Sequence, residues 1–166
     1  KGHIQLSLLK FPKGASGTQL DALARKDLWR EGMNYMHGTG HGVGSYLNVH
    51  EGPHQIRMEW KPTPLVAGMT VTNEPGLYLA GKFGVRIENT MIIEPYMKTS
   101  FGEFLQLQPL TLCPIDKAPI DVQLLTDEEL QWLNDYHARV YEELSPLLDE
   151  AHRLWLQEAT APLARG

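Results

Sequence analysis

The sequence predicts an α+β fold, with helical segments at both ends and a strand-rich stretch between them. Three observations predict it. Apolar residues recur at helical spacing in two places: Leu20, Leu23, Ala24 and Leu28, then Leu130, Leu133, Tyr136, Val140 and Leu144. Between them, residues 33–122 are rich in glycine and proline and carry runs of strand character. The order helix, sheet, helix lacks the alternation that builds a parallel sheet.

Residues 1–32 read as helical. Ile4, Leu6, Leu8 and Leu9 form a short apolar segment of ambiguous period, broken at Phe11-Pro12-Lys13-Gly14. Thr18 is the expected N-cap of the next helix, with Asp21 as a partial capping box, and Gly32 is placed to end it. In residues 33–122 the strand candidates are Met69 to Tyr78 and Phe83 to Glu94, joined as a hairpin about Gly81. Phe104 to Leu112 is a weaker strand. Pro109, Pro114 and Pro119 make Leu110 to Val122 an extended, edge-like run. Residues 123–166 are helical. Thr126 and Glu129 form a full capping box, and Pro146 starts a last helix carrying Leu147, Leu148, Ala151, Leu154 and Trp155. Trp132, Tyr136, Tyr141 and Trp155 serve the chain's own core or a homodimer contact.

Composition narrows the function. Of 166 residues, 42% are hydrophobic and 21% charged, which is globular rather than disordered. The net charge of -5 argues against nucleic-acid binding, which needs a basic face. The lone Cys113 excludes a disulfide framework and fits a reducing, cytoplasmic compartment. No stretch of apolar residues is long enough to span a membrane.

The hairpin places two carboxylates together. A turn centred on Gly81 pairs even positions with even ones, so Glu74 faces Glu88 with Cβ atoms about 5 Å apart. A one-residue slip in register would undo this. Like charges opposite each other need compensation. Solvent or Arg86 supplies it in one reading; a cation held between the two supplies it in the other.

Four of the seven histidines fall between His37 and His54. The stretch His37-Gly-Thr-Gly-His41-Gly-Val-Gly44 lacks the last glycine of a dinucleotide loop and the Gly-Lys-Ser/Thr of a phosphate loop. It leaves a backbone that can approach another group closely and that carries two imidazoles. Imidazole with two carboxylates suits a divalent metal, and a carboxylate-rich set favours harder ions such as manganese. His3, His137 and His152 read as structural residues without partners, and His54 as a bystander.

Four motifs then occur in order: His37-Gly-Thr-Gly-His41-Gly-Val-Gly, Asn48-Val-His50-Glu-Gly-Pro, Thr72-Asn-Glu74-Pro-Gly and Gly84-Val-Arg-Ile-Glu88-Asn. Together they resemble the catalytic domain of the Xaa-Pro aminopeptidases, pita-bread metallopeptidases, over nearly the whole chain. The later Pro109-Leu-Thr-Leu and Trp132-Leu-Asn-Asp-Tyr-His137 resemble the larger, cytosolic-type branch. The resemblance implies the C-terminal half of that fold, a curved antiparallel sheet flanked by helices. It also implies two manganese ions held by two aspartates, one histidine and two glutamates. His41, Glu74 and Glu88 match three of these ligands. His50 and His37 match substrate-side histidines, His50 and Glu74 being catalytic with His37. Arg86 and Tyr78 match residues that tie the ligands down. The implied substrate is a peptide with proline in second position.

The two aspartate ligands have no match. Asp21 and Asp27 are the aspartates before His37 and lie on the expected helix. The chain is therefore expected to be a fragment, inactive alone. A prolidase would share the ligands. A methionine aminopeptidase fits less well, because of the helical tail after Thr126. A pita-bread domain that only binds peptide or protein is the alternative from another class, and His41, Glu74 and Glu88 together argue against it.

Overall fold

The structure, a computed structural model, describes residues 1–46 and 48–166. Its contacts divide the chain into two compact units, Lys1–Thr111 and Leu112–Gly166.

In the first unit the ambiguous opening segment is a helix, α1 (Gly2–Leu8), which buries Ile4 and Leu6. The stretch after it ends that helix as expected, yet Lys10–Pro12 forms a strand, β1, so residues 1–32 are not wholly helical. Helix α2 (Gly17–Arg30) is capped two residues before the expected position. The N-cap is Ser16, whose N–H donates to the Gln19 Oε1 atom at 2.8 Å. Thr18 is used differently: its hydroxyl accepts from the Lys61 N–H at 3.0 Å and donates to the Glu59 carbonyl at 3.1 Å. Gly32 ends the helix as expected, at a φ of 70° that an L side chain rarely adopts.

The main sheet is antiparallel, in the order β1, β8 (Gly102–Pro109), β7 (Asn89–Thr99) and β4 (Thr70–Asn73). Strand β8 is not weak, since it pairs on both edges. The register sets Phe11 opposite Leu105, Ile93 opposite Leu107 and Val71 opposite Met91. All six are buried in one core with Leu6, Leu20, Ala24, Ile56 and Leu65. Alternation along the strands thus turns one face of the sheet onto α1 and α2. After β8 the chain forms no strand before the 3₁₀ turn at Val122–Leu124, and the expected extended run is interrupted by a turn at Ala118 and Pro119, closed by the Ile120 N–H on the Lys117 carbonyl at 3.1 Å. Leu110 and Thr111 bond back through their N–H groups to the Thr90 carbonyl, and Thr111 accepts from the Thr90 N–H and the Asn89 amide.

Each long strand expected in the hairpin is two strands. β4 stops at Asn73 and β5 is Gly76–Leu79; β6 is Phe83–Arg86 and β7 begins at Asn89. Pro75 lacks the N–H that a continuous ladder needs. The expected register holds on both sides of the break: Asn73 faces Asn89, and Gly76 faces Arg86. The apolar parity serves two ends differently. It buries Met91 and Ile93, but leaves Phe83 and Val85 exposed on the β5–β6 hairpin.

In the second unit, α3 (Asp127–Leu144) starts at the expected capping box. The Thr126 Oγ1 accepts from the Glu129 N–H at 3.2 Å, and the Glu129 Oε2 from the Thr126 N–H at 2.8 Å. Pro146 does not start the last helix. It lies in a 3₁₀ turn, Ser145–Leu147, and Asp149 caps α4 (Glu150–Ala159). Tyr136, Val140 and Leu156 are buried there, with Trp132, Tyr141, Leu144 and Leu148 packed against them. Leu147 and Leu154 are exposed, and so is Trp155, which does not join the core of this unit. No helix among the described residues is long and apolar enough to cross a membrane.

Candidate active site

The glycines of the histidine loop permit a close approach. Strand β2 (Gly40–His41) pairs with β3 (Gln55–Ile56), and the next residue, Gly42, bridges to Val71 of β4. A Cβ at residue 40 would lie 1.8 Å from the Thr72 carbonyl oxygen, so only glycine fits. That contact lets one hydroxyl serve both segments. The Thr72 Oγ1 accepts from the His41 N–H at 3.0 Å and donates to the Glu74 Oε1 at 2.8 Å. The Glu74 N–H in turn donates to the Thr39 carbonyl at 2.7 Å.

His41 and Glu74 therefore meet. The Nδ1 of His41 lies 2.9 Å from the Gly42 carbonyl oxygen, which only accepts, so Nδ1 carries a proton. The other ring nitrogen, Nε2, lies 3.1 Å from the Glu74 Oε1. In the neutral ring this sets a nitrogen lone pair against a carboxylate oxygen. Two acceptors at that distance repel unless a proton or a metal cation lies between them. Glu74 is only 7% exposed, which strengthens the demand for a counter-charge.

The other expected residues continue outward from this pair. The His50 ring centroid lies 4.2 Å from that of His41. The Arg86 guanidinium reaches the Glu74 Oε2 at 3.5 Å, and its Nε donates to the Tyr78 hydroxyl at 2.7 Å. That hydroxyl bond, and then the charges of Tyr78, Glu74 and Glu88, raise the Arg86 pKa against the effect of partial burial. The Tyr78 oxygen is 2.9 Å from the His37 Nε2. The His37 Nδ1 faces the Gly38 carbonyl at 2.7 Å, so Tyr78 is the donor to Nε2. His50, His41, Glu74, Arg86, Tyr78 and His37 thus form one connected series. Glu88 lies in the gap between the two ladders, after Arg86 and before Asn89, and is exposed; the expected pairing with Glu74 falls in the break, where no residues pair. Among the described residues no three His, Cys, Asp or Glu side chains gather into a closed metal-binding group.

Beneath the loop lies a network that the sequence reading missed. Asp21, expected at a helix cap, is buried in an ion pair with Arg25 at 2.6 Å. Arg25 donates to the Tyr35 and His37 carbonyls, both at 2.7 Å, and Thr39 donates to Asp21 at 2.5 Å. These bonds fix the backbone on which His37 and His41 stand. The i, i+4 spacing of Asp21 and Arg25 was the available signal.

The remaining histidines are structural, though not without partners. The His54 Nε2 donates to the Thr70 carbonyl at 2.7 Å, and the His137 Nε2 accepts from the Ile115 N–H at 3.0 Å. His152 bonds Asp149 at 2.8 Å. His3 is buried, and burial pushes its pKa down to about 3. Cys113 is free and exposed.

Comparison with known proteins now bears on this geometry. Residues 1–95 match metallopeptidase family M24, and residues 103–163 match the C-terminal region of peptidase M24. Aminopeptidase P1 of Lotus japonicus is 50% identical over 167 residues, which are 98% of this chain and 25% of that protein. Xaa-Pro aminopeptidase 1 of Dictyostelium discoideum is 46% identical over 171 residues, 98% of this chain and 27% of that protein. Among solved structures, the X-prolyl aminopeptidase of Caenorhabditis elegans matches with a TM-score of 0.88 and 44% identity. The match covers 98% of this chain and 27% of that one, which is described as a cytosolic enzyme with a di-nuclear active site. The chain spans about a quarter of the length of the curated relatives it matches. With a family match over more than half its residues and the α+β pita-bread architecture of such enzymes, the chain belongs to metallopeptidase family M24.

Proposed function

We propose that the protein carrying this chain removes the N-terminal residue from peptides with proline in second position. The observation that carries the reading is the approach of the His41 Nε2 to the Glu74 Oε1 at 3.1 Å, with the ring tautomer fixed by Gly42. That pair fits a cation chemically, because it presents two electron pairs to one point. His41, Glu74 and Glu88 would hold two divalent metal ions, manganese by the carboxylate-rich donor set. When bound, such ions supply Lewis acidity that acidifies water and polarises a carbonyl.

The protein's own groups do the rest. The Glu74 carboxylate takes a proton from the attacking water as its oxygen bonds to the scissile carbonyl carbon. Glu74 then returns that proton to the proline nitrogen as the carbon–nitrogen bond breaks. His50, beside His41, faces the oxygen that gains negative charge. His37 contacts the substrate, and Tyr78 orients its ring. Arg86 holds the Glu74 carboxylate in place. A cytoplasmic setting accompanies the proposal, consistent with one exposed free thiol.

The test is metal removal from the full-length protein. Chelation should stop release of the first residue from an Xaa-Pro peptide, and added Mn2+ should restore it. Turnover that survives exhaustive chelation overturns the reading. Equal turnover of peptides without proline at the second position overturns the substrate assignment.

A further inference from the structure

Helix α2 carries a buried ion pair that the reaction proposed above does not use. Asp21 and Arg25 are each 1% exposed. Taking two charges out of water can cost more than their attraction returns, so stability is a weak reason for such a pair. Geometry is a better one, because a guanidinium holds five N–H donors in one rigid plane. All five are engaged. Nε and Nη2 grip the two Asp21 oxygens at 2.6 and 3.3 Å. Nη1 donates to the Asn34 Oδ1 at 3.0 Å and to the Tyr35 carbonyl at 2.7 Å. The other Nη2 proton goes to the His37 carbonyl at 2.7 Å. Asp21 has an arm of its own. Its Oδ1 takes the Thr39 hydroxyl proton at 2.5 Å, which leaves the Thr39 oxygen to accept from the Tyr35 hydroxyl at 2.6 Å. The Thr39 carbonyl then accepts the Glu74 N–H at 2.7 Å.

We propose that this pair is a positioning device with two separate targets: Arg25 sets the substrate-side His37, and Asp21, through Thr39, sets the metal-side Glu74. The inference rests on the aminopeptidase reading for the roles of those two targets. Gly38 and Gly40 flank Thr39 and lend the loop no side-chain anchor, so its backbone is held from α2 instead. With every donor engaged, Arg25 has none left for substrate and acts only through the loop. The two arms diverge at Asp21, so a change in one need not disturb the other.

Two readouts on the full-length protein separate the arms: the Mn2+ Kd by calorimetric titration, and kcat/KM for Ala-Pro-Leu at saturating Mn2+. Arg25→Lys keeps a charge beside Asp21 and loses the planar fork. It should lower kcat/KM roughly 10- to 100-fold and leave the Mn2+ Kd unchanged. Thr39→Val keeps the shape and removes the hydroxyl. It should weaken Mn2+ binding roughly tenfold, and Thr39→Ser should keep the wild-type value. Weaker Mn2+ binding in Arg25→Lys, with a lower thermal midpoint, would mark a general loosening of the loop and overturns the proposal. Wild-type behaviour of either Arg25→Lys or Thr39→Val overturns it too. Where Arg25→Lys does not fold, equal Mn2+ affinity in Thr39→Val and Thr39→Ser overturns it. If the wild type hydrolyses no Xaa-Pro peptide but its Mn2+ binding depends on the Thr39 hydroxyl, the functional reading falls and the Thr39 arm stands. If it neither hydrolyses nor binds Mn2+, both fall.

Discussion

One hydroxyl, that of Thr72, joins the two halves of the candidate site, because it bonds both the His41 N–H and the Glu74 carboxylate. Thr72→Val keeps the shape and removes both bonds. The variant should bind Mn2+ roughly 10- to 100-fold more weakly in the full-length protein, as measured by calorimetric titration. An unchanged affinity would show that His41 and Glu74 need no such support. At this scale much of the site was legible in the sequence. His41, Glu74, Arg86, Tyr78, His37 and His50 were all named from motifs, and the structure links them in one series. The supporting groups were not legible. Thr72 is an ordinary β-branched strand residue until its neighbour is known, and Asp21 read as a helix cap although it is buried against Arg25. Motifs reveal residues that do chemistry, whereas partners far apart in sequence appear only once the chain has folded.

Among the elements, the glycine hairpin and its strand depend on close backbone contact. Gly40→Ala sets a methyl group against the Thr72 carbonyl. It should destabilise the first unit by about 1–3 kcal/mol, read from the urea midpoint, and weaken Mn2+ binding with it. A variant as stable as wild type would mean that β2 and β4 separate without cost. In α3, Thr126→Ala removes half of the capping box and should cost about 1 kcal/mol in the same measurement. A loss below the error of the experiment would contradict the cap. The capping box and the register about Gly81 could be read from sequence because they are local. The split of each hairpin strand at Glu74-Pro75 and Ile87-Glu88 could not, because alternation continues straight through it. Nor could β1, whose three residues become a strand only because β8 lies beside them.

For the molecule as a whole, burial makes stability depend on pH. His137 is buried, and that burial lowers its pKa below the usual 6.5, with Lys117 adding to the effect. The unfolded chain therefore takes up a proton below about pH 6.5 that the folded chain refuses, so stability is full above that pH and falls as the pH drops. His3, buried and lowered to about 3, acts in the same direction. The thermal midpoint of the full-length protein should fall between pH 6.5 and 5, and fall less steeply in His137→Gln. An identical slope in the two would remove His137 from the account. The fold class was legible from the order of elements, and the family from four motifs in sequence. The outward face of the last helix was not, because Trp155 looks like core until Leu156 is seen to take that place. The most direct measurement of the central claim is Mn2+-dependent release of the first residue from an Xaa-Pro peptide by full-length Glu88→Ala. The account predicts release no faster than the enzyme-free blank, because Glu88 is proposed to hold the metal ions together with His41 and Glu74. Near-normal release would contradict it.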